Sequence, residues 1–494
     1  MKKEGKGWFW FIIAIAIILR CLFIQQRGIQ YDDAFSMLLS QRTLGEIISG
    51  TAADTMPPLY YFLLHFWVLI SYQIWFVRLL SVVFNLVCGI LVYKVAQQLV
   101  SRNGALIALF LFSISPLQIY HAQDLRMYAL CELAQVSYLY FFILLFVHQN
   151  TTSRYILWTG LVLSGVTTLY SHNLGGMVLI IPSIYLLIKR QWRNLYHLAI
   201  AQLGILFLFI PWLLVLPGQI AKIQHSFWTP RPGLVEILQA SMLMVATLPL
   251  HGLWITAGLT ITLAVMALIG VGLYKFRNET HSIGLPLLVW LGLPAIIFII
   301  SHFMRPIYVV RGFLISSSFF YIVAAWLIAK EPRKIGVLIS VGFILAAIIS
   351  LPYQYLFSSF PRSSFQQAAA YLAKSELTDS VILHDNKLSL FPFTVYQPDL
   401  PETFLPDVPG SFNDTLAVKT QKALNLFPAE NVQSAAQGKK IIYFVVFQNT
   451  IDEYLAAGKT NHPTITWLSE HFTKSEAHIF GDLLVIPFSA GISQ

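Results

Sequence analysis

Residues 57–71 read PPLYYFLLHFWVLIS, and this stretch decides how many times the chain crosses a membrane. It has 15 residues and opens with two prolines, whereas a helix needs roughly 20 residues to cross about 30 Å of hydrocarbon. Its tyrosine, phenylalanine and tryptophan side chains suit the boundary between lipid and water. We therefore expect 57–71 to form a helix lying in the outer interface.

Longer apolar runs predict a polytopic α-helical membrane protein of about eleven spans. The chain has 494 residues, of which 56% are hydrophobic and 11% charged, a composition typical of membrane proteins. The N-terminal MKKEGKG precedes an apolar run without a small-residue cleavage site, which favours an uncleaved first span. The runs lie near 8–26, 75–93, 104–120, 127–147, 155–171, 174–188, 196–217, 251–274, 283–302, 312–329 and 334–351.

The distribution of basic residues sets the orientation of these spans. With the N-terminus inside, eleven spans place 14 of the 23 Lys and Arg residues before position 352 on the cytoplasmic side. If 57–71 also crossed, the basic clusters at 189–193 and 331–334 would lie outside, which the positive-inside rule disfavours. The net charge of +9 therefore reflects cytoplasmic span ends and does not indicate nucleic-acid binding. We expect a multi-pass plasma (inner) membrane protein.

Residues 352–494 differ in composition from the preceding part and predict a small α/β domain. They contain 9 Lys and Arg and 13 Asp and Glu residues. SVILHD (380–385), KKIIYFVVF (439–447) and DLLVIPF (482–488) are typical of buried strands. SSFQQAAAYLAKS (363–375) is typical of a capped amphipathic helix. We therefore predict a transmembrane domain over 1–351 and an extracytoplasmic domain over 352–494, since an odd number of spans puts the latter outside.

Most acidic residues of the membrane part fall at or near the outer face. Ionisable groups at membrane depth are functional candidates, although for Glu46 and Glu236 we favour solvated loop carboxylates. The two adjacent acids of YDDAFS (31–36) follow the first span directly. The acids on this side are Asp32, Asp33, Glu46, Asp54, Asp124, Glu132 and Glu236.

Several motifs on the same face together resemble a known superfamily. They are YDDAFS (31–36), DTMPPLYY (54–61), SPLQIYHAQDLRMYAL (115–130) and RPIYVVRGFL (305–314). An acid pair in the first outer loop, a Pro-Pro-Leu-Tyr-Tyr stretch and an Arg-Met-Tyr-Ala motif resemble the GT-C superfamily. Within it, the chain is similar to bacterial membrane glycosyltransferases such as protein O-mannosyltransferases and the aminoarabinose transferase of lipid A. The resemblance covers nearly the whole chain.

The resemblance implies a reaction and assigns roles to matching residues. The family takes a sugar from a polyprenyl phosphate donor and transfers it to an acceptor at the outer face, with the first-loop acid as general base. Asp32 matches the first acid of the pair, and Asp33 the second, where the family more often has Glu. Arg311 matches an arginine before a Tyr-Leu pair, with Gly312 replacing the tyrosine. The other matches are Pro57, Pro58, Tyr60, Asp124 and Arg126, and Met56 stands where the family usually has a polar residue.

Glycosyl transfer from a sugar phosphate needs these residue types on chemical grounds as well. A base must accept the proton of the acceptor hydroxyl, and cations must neutralise the departing phosphate. One direct displacement then inverts the anomeric centre. We predict that Asp32 is the catalytic base and that Asp33 and Asp124 orient the site or serve as second catalytic carboxylates. We predict donor-phosphate binding by Arg126, Arg305 and Arg311, and substrate binding by Tyr60, His121, Tyr128 and Trp228.

Structural roles for some of these residues stay open at this point. Arg305 and Arg311 would also serve as headgroup anchors for the tenth span, and Trp228 as an interfacial anchor. Arg126 would also serve as a structural partner of Asp124. No cofactor is certain, and a divalent cation held by outer-face histidines with Asp54 or Asp32 stays open, although their spacing fits no compact ligand motif.

Three other classes of membrane protein compete with the transferase. Transporters place ionisable groups near the midplane, often in repeated halves, whereas here the acids gather at one face. A flippase or a polysaccharide polymerase would also handle polyprenyl-linked glycans. The order of the motifs and the outer domain favour the transferase. The acceptor, whether lipid, glycan or protein, and the sugar stay open.

Overall fold

The computed structural model describes residues 3–148, 153–226, 229–356, 364–407, 416–459 and 461–490. Helices dominate these residues, and strands occur only after residue 379. The α-helices are α1 (Lys3–Cys21), α2 (Tyr31–Ser40), α3 (Leu44–Ala53), α4 (Leu59–Val68), α5 (Ile74–Leu99), α6 (Arg102–Ile114), α7 (Pro116–Ala122), α8 (Tyr128–Phe142), α9 (Arg154–Ser171), α10 (Ile180–Ile188), α11 (Trp192–Leu213), α12 (Leu216–Ser226), α13 (Leu234–Val245), α14 (Leu253–Lys275), α15 (Gly284–Leu287), α16 (Leu293–Phe303), α17 (Ile315–Lys330), α18 (Ile335–Leu356), α19 (Phe365–Leu372), α20 (Lys387–Tyr396), α21 (Val418–Leu424), α22 (Val432–Ala436), α23 (Gln448–Ala456) and α24 (Pro463–His471). The strands are β1 (Ser380–His384), β2 (Glu402–Phe404), β3 (Ile441–Phe447), β4 (Thr473–Lys474), β5 (His478–Phe480) and β6 (Leu483–Ser489).

The first compact unit, the membrane unit, comprises Met1–Ile24 and Thr55–Leu356. Six of its described helices are long and apolar enough to cross a membrane, and a seventh qualifies if α6 and α7 form one bent span. The remaining apolar helices are shorter, so the total of eleven spans stays a prediction. The segment 57–71 contains only the ten-residue α4, which is about 15 Å long and too short to cross.

A sharp break between α6 and α7 shapes the centre of the membrane unit. The two helices meet at an angle of 61°. Ser115 ends α6 and caps α7, because its hydroxyl accepts a 3.3 Å bond from the N–H of Gln118. Pro116 follows at the first position of α7, where its missing N–H costs nothing. Residues 123–127 then leave the helix before α8 begins, so the QDLRM stretch between α7 and α8 is non-helical.

The second compact unit, the C-terminal unit, is built on a mixed sheet. Its strand order is β2-β1-β3-β6-β4, with β5 paired to β6. The strands β2, β1 and β3 are parallel, and the pairs of β6 with β3, β4 and β5 are antiparallel. Side chains alternate between two buried faces: Phe444 and Phe488 pack on one, and Phe365 and Phe393 on the other. The predicted C-terminal sheet is confirmed, with β1, β3 and β6 at the three predicted stretches.

The C-terminal unit also includes a segment from the start of the chain. It comprises Gln25–Asp54 together with Phe357–Gln494, so α2 and α3 pack with the α/β domain. Helix α2 packs against α20, and α3 packs against α21. The sequence-based boundary at 351/352 differs from this division, because it assigns the whole first outer loop to the membrane domain.

Candidate functional site

The stretch between α7 and α8 brings together two of the predicted site residues. His121 lies on the last turn of α7, and its Nδ1 is 2.7 Å from Asp124 Oδ2. Both residues are buried, with 6% and 7% of their surfaces exposed. The His121 ring also packs edge-on against Tyr128, with 5.2 Å between ring centroids. Asp124 is therefore engaged with a neighbouring imidazole, and Arg126 does not have to act as its sole structural partner.

Both predicted phosphate-binding arginines near α8 lie among aromatic side chains. Arg126 Nη1 donates a 3.2 Å bond to the hydroxyl of Tyr61, which packs edge-on against Tyr60. The guanidinium of Arg311 lies over the Tyr128 ring, 5.7 Å from its centroid. Tyr60 and Tyr61 are fully buried. Four predicted site residues, two tyrosines and two arginines from the motifs 54–61, 115–130 and 305–314, thus lie in the membrane unit with aromatic neighbours.

Arg126 and Arg311 both affect a third residue, His172. It follows α9, and its ring is 5.9 Å from that of Tyr128. Burial, and then the positive charges of Arg126 and Arg311, lower the pKa of His172 to about 3. Its Nδ1 accordingly accepts a 3.0 Å bond from the N–H of Leu174. The imidazole is neutral at working pH, and Arg126 and Arg311 both lie near enough to act on it electrostatically.

Arg305 and Trp228 are the remaining predicted binding residues. Arg305 lies in the loop before Arg311, and its backbone N–H donates a 3.1 Å bond to Gln224 Oε1. Trp228 lies outside the described residues, and its role as a substrate-binding residue stays a prediction.

The adjacent acids Asp32 and Asp33 occupy the first turn of α2 in the C-terminal unit, where their environments differ. Asp33 is only 3% exposed, and its Oδ2 accepts a long (3.5 Å) bond from the N–H of Gln30, the residue that caps α2. Asp32 is half-buried. The third helical position turns a carboxylate back toward the helix start, and therefore Asp33 stabilises the helix end.

A buried polar chain through the membrane unit was not anticipated as a connected feature. Arg20 Nε donates to Asn85 Oδ1 at 2.6 Å, and Asn85 Nδ2 donates to Gln118 Oε1 at 2.7 Å. Gln118 Nε2 then donates to Glu132 Oε1 at 2.8 Å. Ser318 also donates to Glu132, at 2.7 Å. The signal in the sequence was Arg20, an arginine inside the apolar run of the first span.

This chain joins five helices and reaches α7, the helix that carries His121. Arg20 also donates to the carbonyls of Ser113 and Phe112, which lie at the end of α6 next to the break. Glu132, which the sequence places near the outer face, is 1% exposed. The break between α6 and α7 is therefore held by buried hydrogen bonds.

The C-terminal unit has a second group of buried titratable side chains, between neighbouring parallel strands. His384 of β1 and Glu402 of β2 approach to 3.2 Å between Nε2 and Oε2. Burial lowers the pKa of His384 to about 3 and raises that of Glu402 well above its usual value. No group of three or more His, Cys, Asp or Glu residues within the described ranges could hold a metal ion. His384 and Glu402 thus form a neutral structural pair.

Residues 55–215 match the family of dolichyl-phosphate-mannose-protein mannosyltransferases. This range contains α4, the break between α6 and α7, and the residues His121, Asp124, Arg126 and His172. A search of curated protein sequences finds no match.

The whole fold is similar to solved membrane transferases. ArnT from Cupriavidus metallidurans in the apo state has 12% identity and a TM-score of 0.66, and the match covers 98% of both chains. The same protein bound to undecaprenyl phosphate gives 13% identity and a TM-score of 0.63 over 97% of this chain and 98% of that one.

The oligosaccharyltransferase from Archaeoglobus fulgidus, tethered to an acceptor peptide with the NVT sequon, has 13% identity and a TM-score of 0.56, over 99% of this chain and 74% of that one. The fold expected from the first-loop acids, the Pro-Pro-Leu-Tyr-Tyr stretch and the Arg-Met-Tyr-Ala motif is thus confirmed. The chain is therefore similar in fold to these membrane transferases, and its residues 55–215 match the mannosyltransferase family.

Proposed function

We propose that this protein transfers a sugar from a polyprenyl phosphate donor to an acceptor hydroxyl at the outer face of the membrane, with inversion. The observation that carries the proposal is the placement of two arginines near the buried His172, with Arg311 over the Tyr128 ring and Arg126 bonded to Tyr61. A buried region with two cations and several tyrosines suits a phosphate attached to a sugar. The acceptor would be a lipid, a glycan or a protein.

The arginines would act on the leaving group. As the bond between the anomeric carbon and the phosphate oxygen breaks, the electron pair stays on the phosphate, and its charge rises. Arg126 and Arg311 would stabilise that charge, and so the leaving group needs no proton. Tyr60, Tyr128 and His121 would line the sugar site, with His121 held in orientation by Asp124.

The acceptor hydroxyl needs a base on the opposite side of the sugar. Asp32 would accept its proton as the oxygen forms a bond to the anomeric carbon, and the single displacement inverts that centre. Asp33 is the weaker candidate, because its carboxylate is buried against the start of α2. Asp124 is engaged with His121.

Two structural relatives support the choice of substrates. ArnT has been solved with undecaprenyl phosphate, and the archaeal oligosaccharyltransferase with a tethered acceptor peptide. A lipid phosphate and a separate acceptor are the two substrates that our proposal requires.

The test compares Asp32→Asn with Asp33→Asn and Asp124→Asn. Asparagine keeps the size of aspartate but cannot take the proton, and losing a general base typically lowers turnover by 10² to 10⁴-fold. We expect that loss for Asp32→Asn and a milder one for Asp33→Asn. Turnover is measured as label moving from a radiolabelled undecaprenyl-phosphate-linked sugar to acceptors in native membranes.

Binding of undecaprenyl phosphate serves as the control for folding, and it should survive in all three variants. Near-wild-type turnover by Asp32→Asn, with Asp33→Asn or Asp124→Asn inactive, would move the base to another carboxylate. Flipping of intact donor without transfer of label would instead favour the flippase.

A further inference from the structure

Helix α20 of the C-terminal unit lies between the sheet and α2. On one side, Phe393 packs with Phe365 over the sheet. On the other, Phe391 is fully buried and stacks on Tyr31, with 5.1 Å between ring centroids and 20° between planes. Phe35, one turn further along α2, stacks on the same ring at 6.3 Å. The sheet therefore supports α2 through one intervening helix.

The chain entering α2 is fixed by the same helix. Tyr396, the last residue of α20, accepts a 2.8 Å bond at its hydroxyl from the N–H of Ile29. Ile29 is fully buried, so this donor would lose its partner without the tyrosine hydroxyl. The next N–H, that of Gln30, is bound by Asp33. Two side chains thus set the direction in which α2 starts, immediately before Asp32.

The far end of the segment has its own attachment to the C-terminal unit. Gly50 of α3 lies against α21, where an added Cβ would be 3.2 Å from that of Ala423. Thr420 donates a 3.3 Å bond to the carbonyl of Gly50, and Arg42 donates to the carbonyl of Leu424. Residues 29–50 are therefore held at both ends by helices of the C-terminal α/β fold.

We propose that Phe391 and Tyr396 are positioning residues for the transfer, which set the angle at which α2 presents Asp32. The inference rests on the proposed function, because it takes Asp32 as the base. A misplacement of about 1 Å at a reacting group can cost about 10²-fold in rate. Side chains that are distant from the first loop along the chain would thereby control the rate of the chemical step.

The experiment separates kcat from donor binding in the full-length protein. Phe391→Ala removes both ring contacts with α2, and Tyr396→Phe removes the hydroxyl that accepts the bond from Ile29. We expect kcat to fall by about 10 to 10²-fold in Phe391→Ala and by a smaller factor in Tyr396→Phe. The Kd for undecaprenyl phosphate should stay within about twofold. Phe391→Leu refills most of the volume and should recover much of kcat.

Phe488→Ala is the matched control, because Phe488 is equally buried but packs on the opposite face of the sheet. It should leave kcat per active molecule near the wild-type value. A double-mutant cycle adds a second measurement, in which the kcat losses of Phe35→Ala and Phe391→Ala should be less than additive. Phe35→Ala and Phe488→Ala should be additive.

Two outcomes would overturn the inference. One is wild-type kcat in both Phe391→Ala and Tyr396→Phe while Asp32→Asn is inactive. The other is an equal kcat loss in Phe488→Ala, which would indicate a general loss of domain stability. Retained turnover in Asp32→Asn would instead refute the assignment of the base, whatever the Phe391 variants do.

Discussion

Two adjacent aspartates illustrate what a single residue's position decides. Asp32 and Asp33 have the same chemistry, but α2 starts at Tyr31, and the third helical position directs Asp33 back to the N–H of Gln30. The sequence predicted a functional acid pair after the first span. It assigned the base to Asp32 and an orienting role to Asp33, but it did not predict the contact of Asp33 with the N–H of Gln30, because Gln30 is a weak capping signal and the helix start was not predicted to the residue.

Removing Arg126 is expected to weaken binding of the lipid phosphate. Hydrogen bonds to charged groups contribute about 1.5–3 kcal/mol, so Arg126→Ala or Arg311→Ala should raise the Kd for undecaprenyl phosphate by about 10 to 10²-fold. Lysine at either position should restore part of the affinity, because it keeps the charge and loses the bidentate geometry. The Kd is measured with purified protein and labelled undecaprenyl phosphate.

Arg277→Ala provides the control for that measurement, since Arg277 stacks on Tyr274 at the C-terminal end of α14 and is not a predicted phosphate-binding residue. Tyr61→Phe should have only a modest effect, because it deletes one bond of Arg126. Unchanged affinity in both alanine variants would exclude these arginines as the phosphate site.

At the scale of helices, the buried chain from Arg20 to Glu132 predicts a stability effect. Gln118→Leu removes the amide that bonds both Asn85 and Glu132, and a buried polar atom left without a partner costs about 1–3 kcal/mol. We expect earlier thermal unfolding in detergent. It can be followed by dye labelling of Cys88 and Cys131, which are buried thiols.

Gln97→Leu is the matched variant, because Gln97 is an exposed residue of α5 that bonds Tyr93. Equal unfolding temperatures for the Gln118 and Gln97 variants would mean that the chain contributes nothing to stability.

The strands of the C-terminal unit predict a pH effect. Above about pH 6.5 the unfolded chain has an ionised Glu402 and a neutral His384, whereas the buried Glu402 keeps its proton because its pKa is raised. The native state binds the extra proton, so stability falls as pH rises, by at most about 1.4 kcal/mol per pH unit.

Glu402→Gln should remove this dependence between pH 6.5 and 8. Hydrogen exchange of the β1 amides in the full-length protein, compared between variant and wild type at each pH, measures it. The exposed Glu430→Gln should follow the wild type. A parallel pH dependence in wild type and Glu402→Gln would mean that Glu402 is ionised in the native state.

Element prediction succeeded where the local pattern was long and failed where a single residue interrupts it. Short continuous apolar runs in the sequence correctly predicted β1, β3 and β6. The run 104–120 was predicted as one span, but Ser115 and Pro116 divide it into two helices at 61°. Packing of α2 on α20 joins residues about 360 positions apart in the chain, and no local pattern carries such information.

On the scale of the whole molecule, ion pairs place two loops of the membrane unit together. Lys275 Nζ is 2.6 Å from Glu331 Oε2, and Lys330 pairs with Glu279. The loops that follow α14 and α17 therefore lie at one end of the unit, as expected if both are cytoplasmic. The number of spans and the distribution of basic residues could predict this arrangement, because both depend on the whole chain and not on exact helix ends.

Cysteine labelling tests the orientation directly. With eleven spans and the N-terminus inside, Arg193 lies inside and Lys474 lies outside, and both are exposed. In a Cys21→Ser background, K474C should react with a membrane-impermeant maleimide on intact cells, and R193C only after permeabilisation. If 57–71 crossed the membrane, both positions would change sides, because each lies after that segment. Labelling of R193C with protection of K474C on intact cells would therefore show that the short helix α4 belongs to a true span.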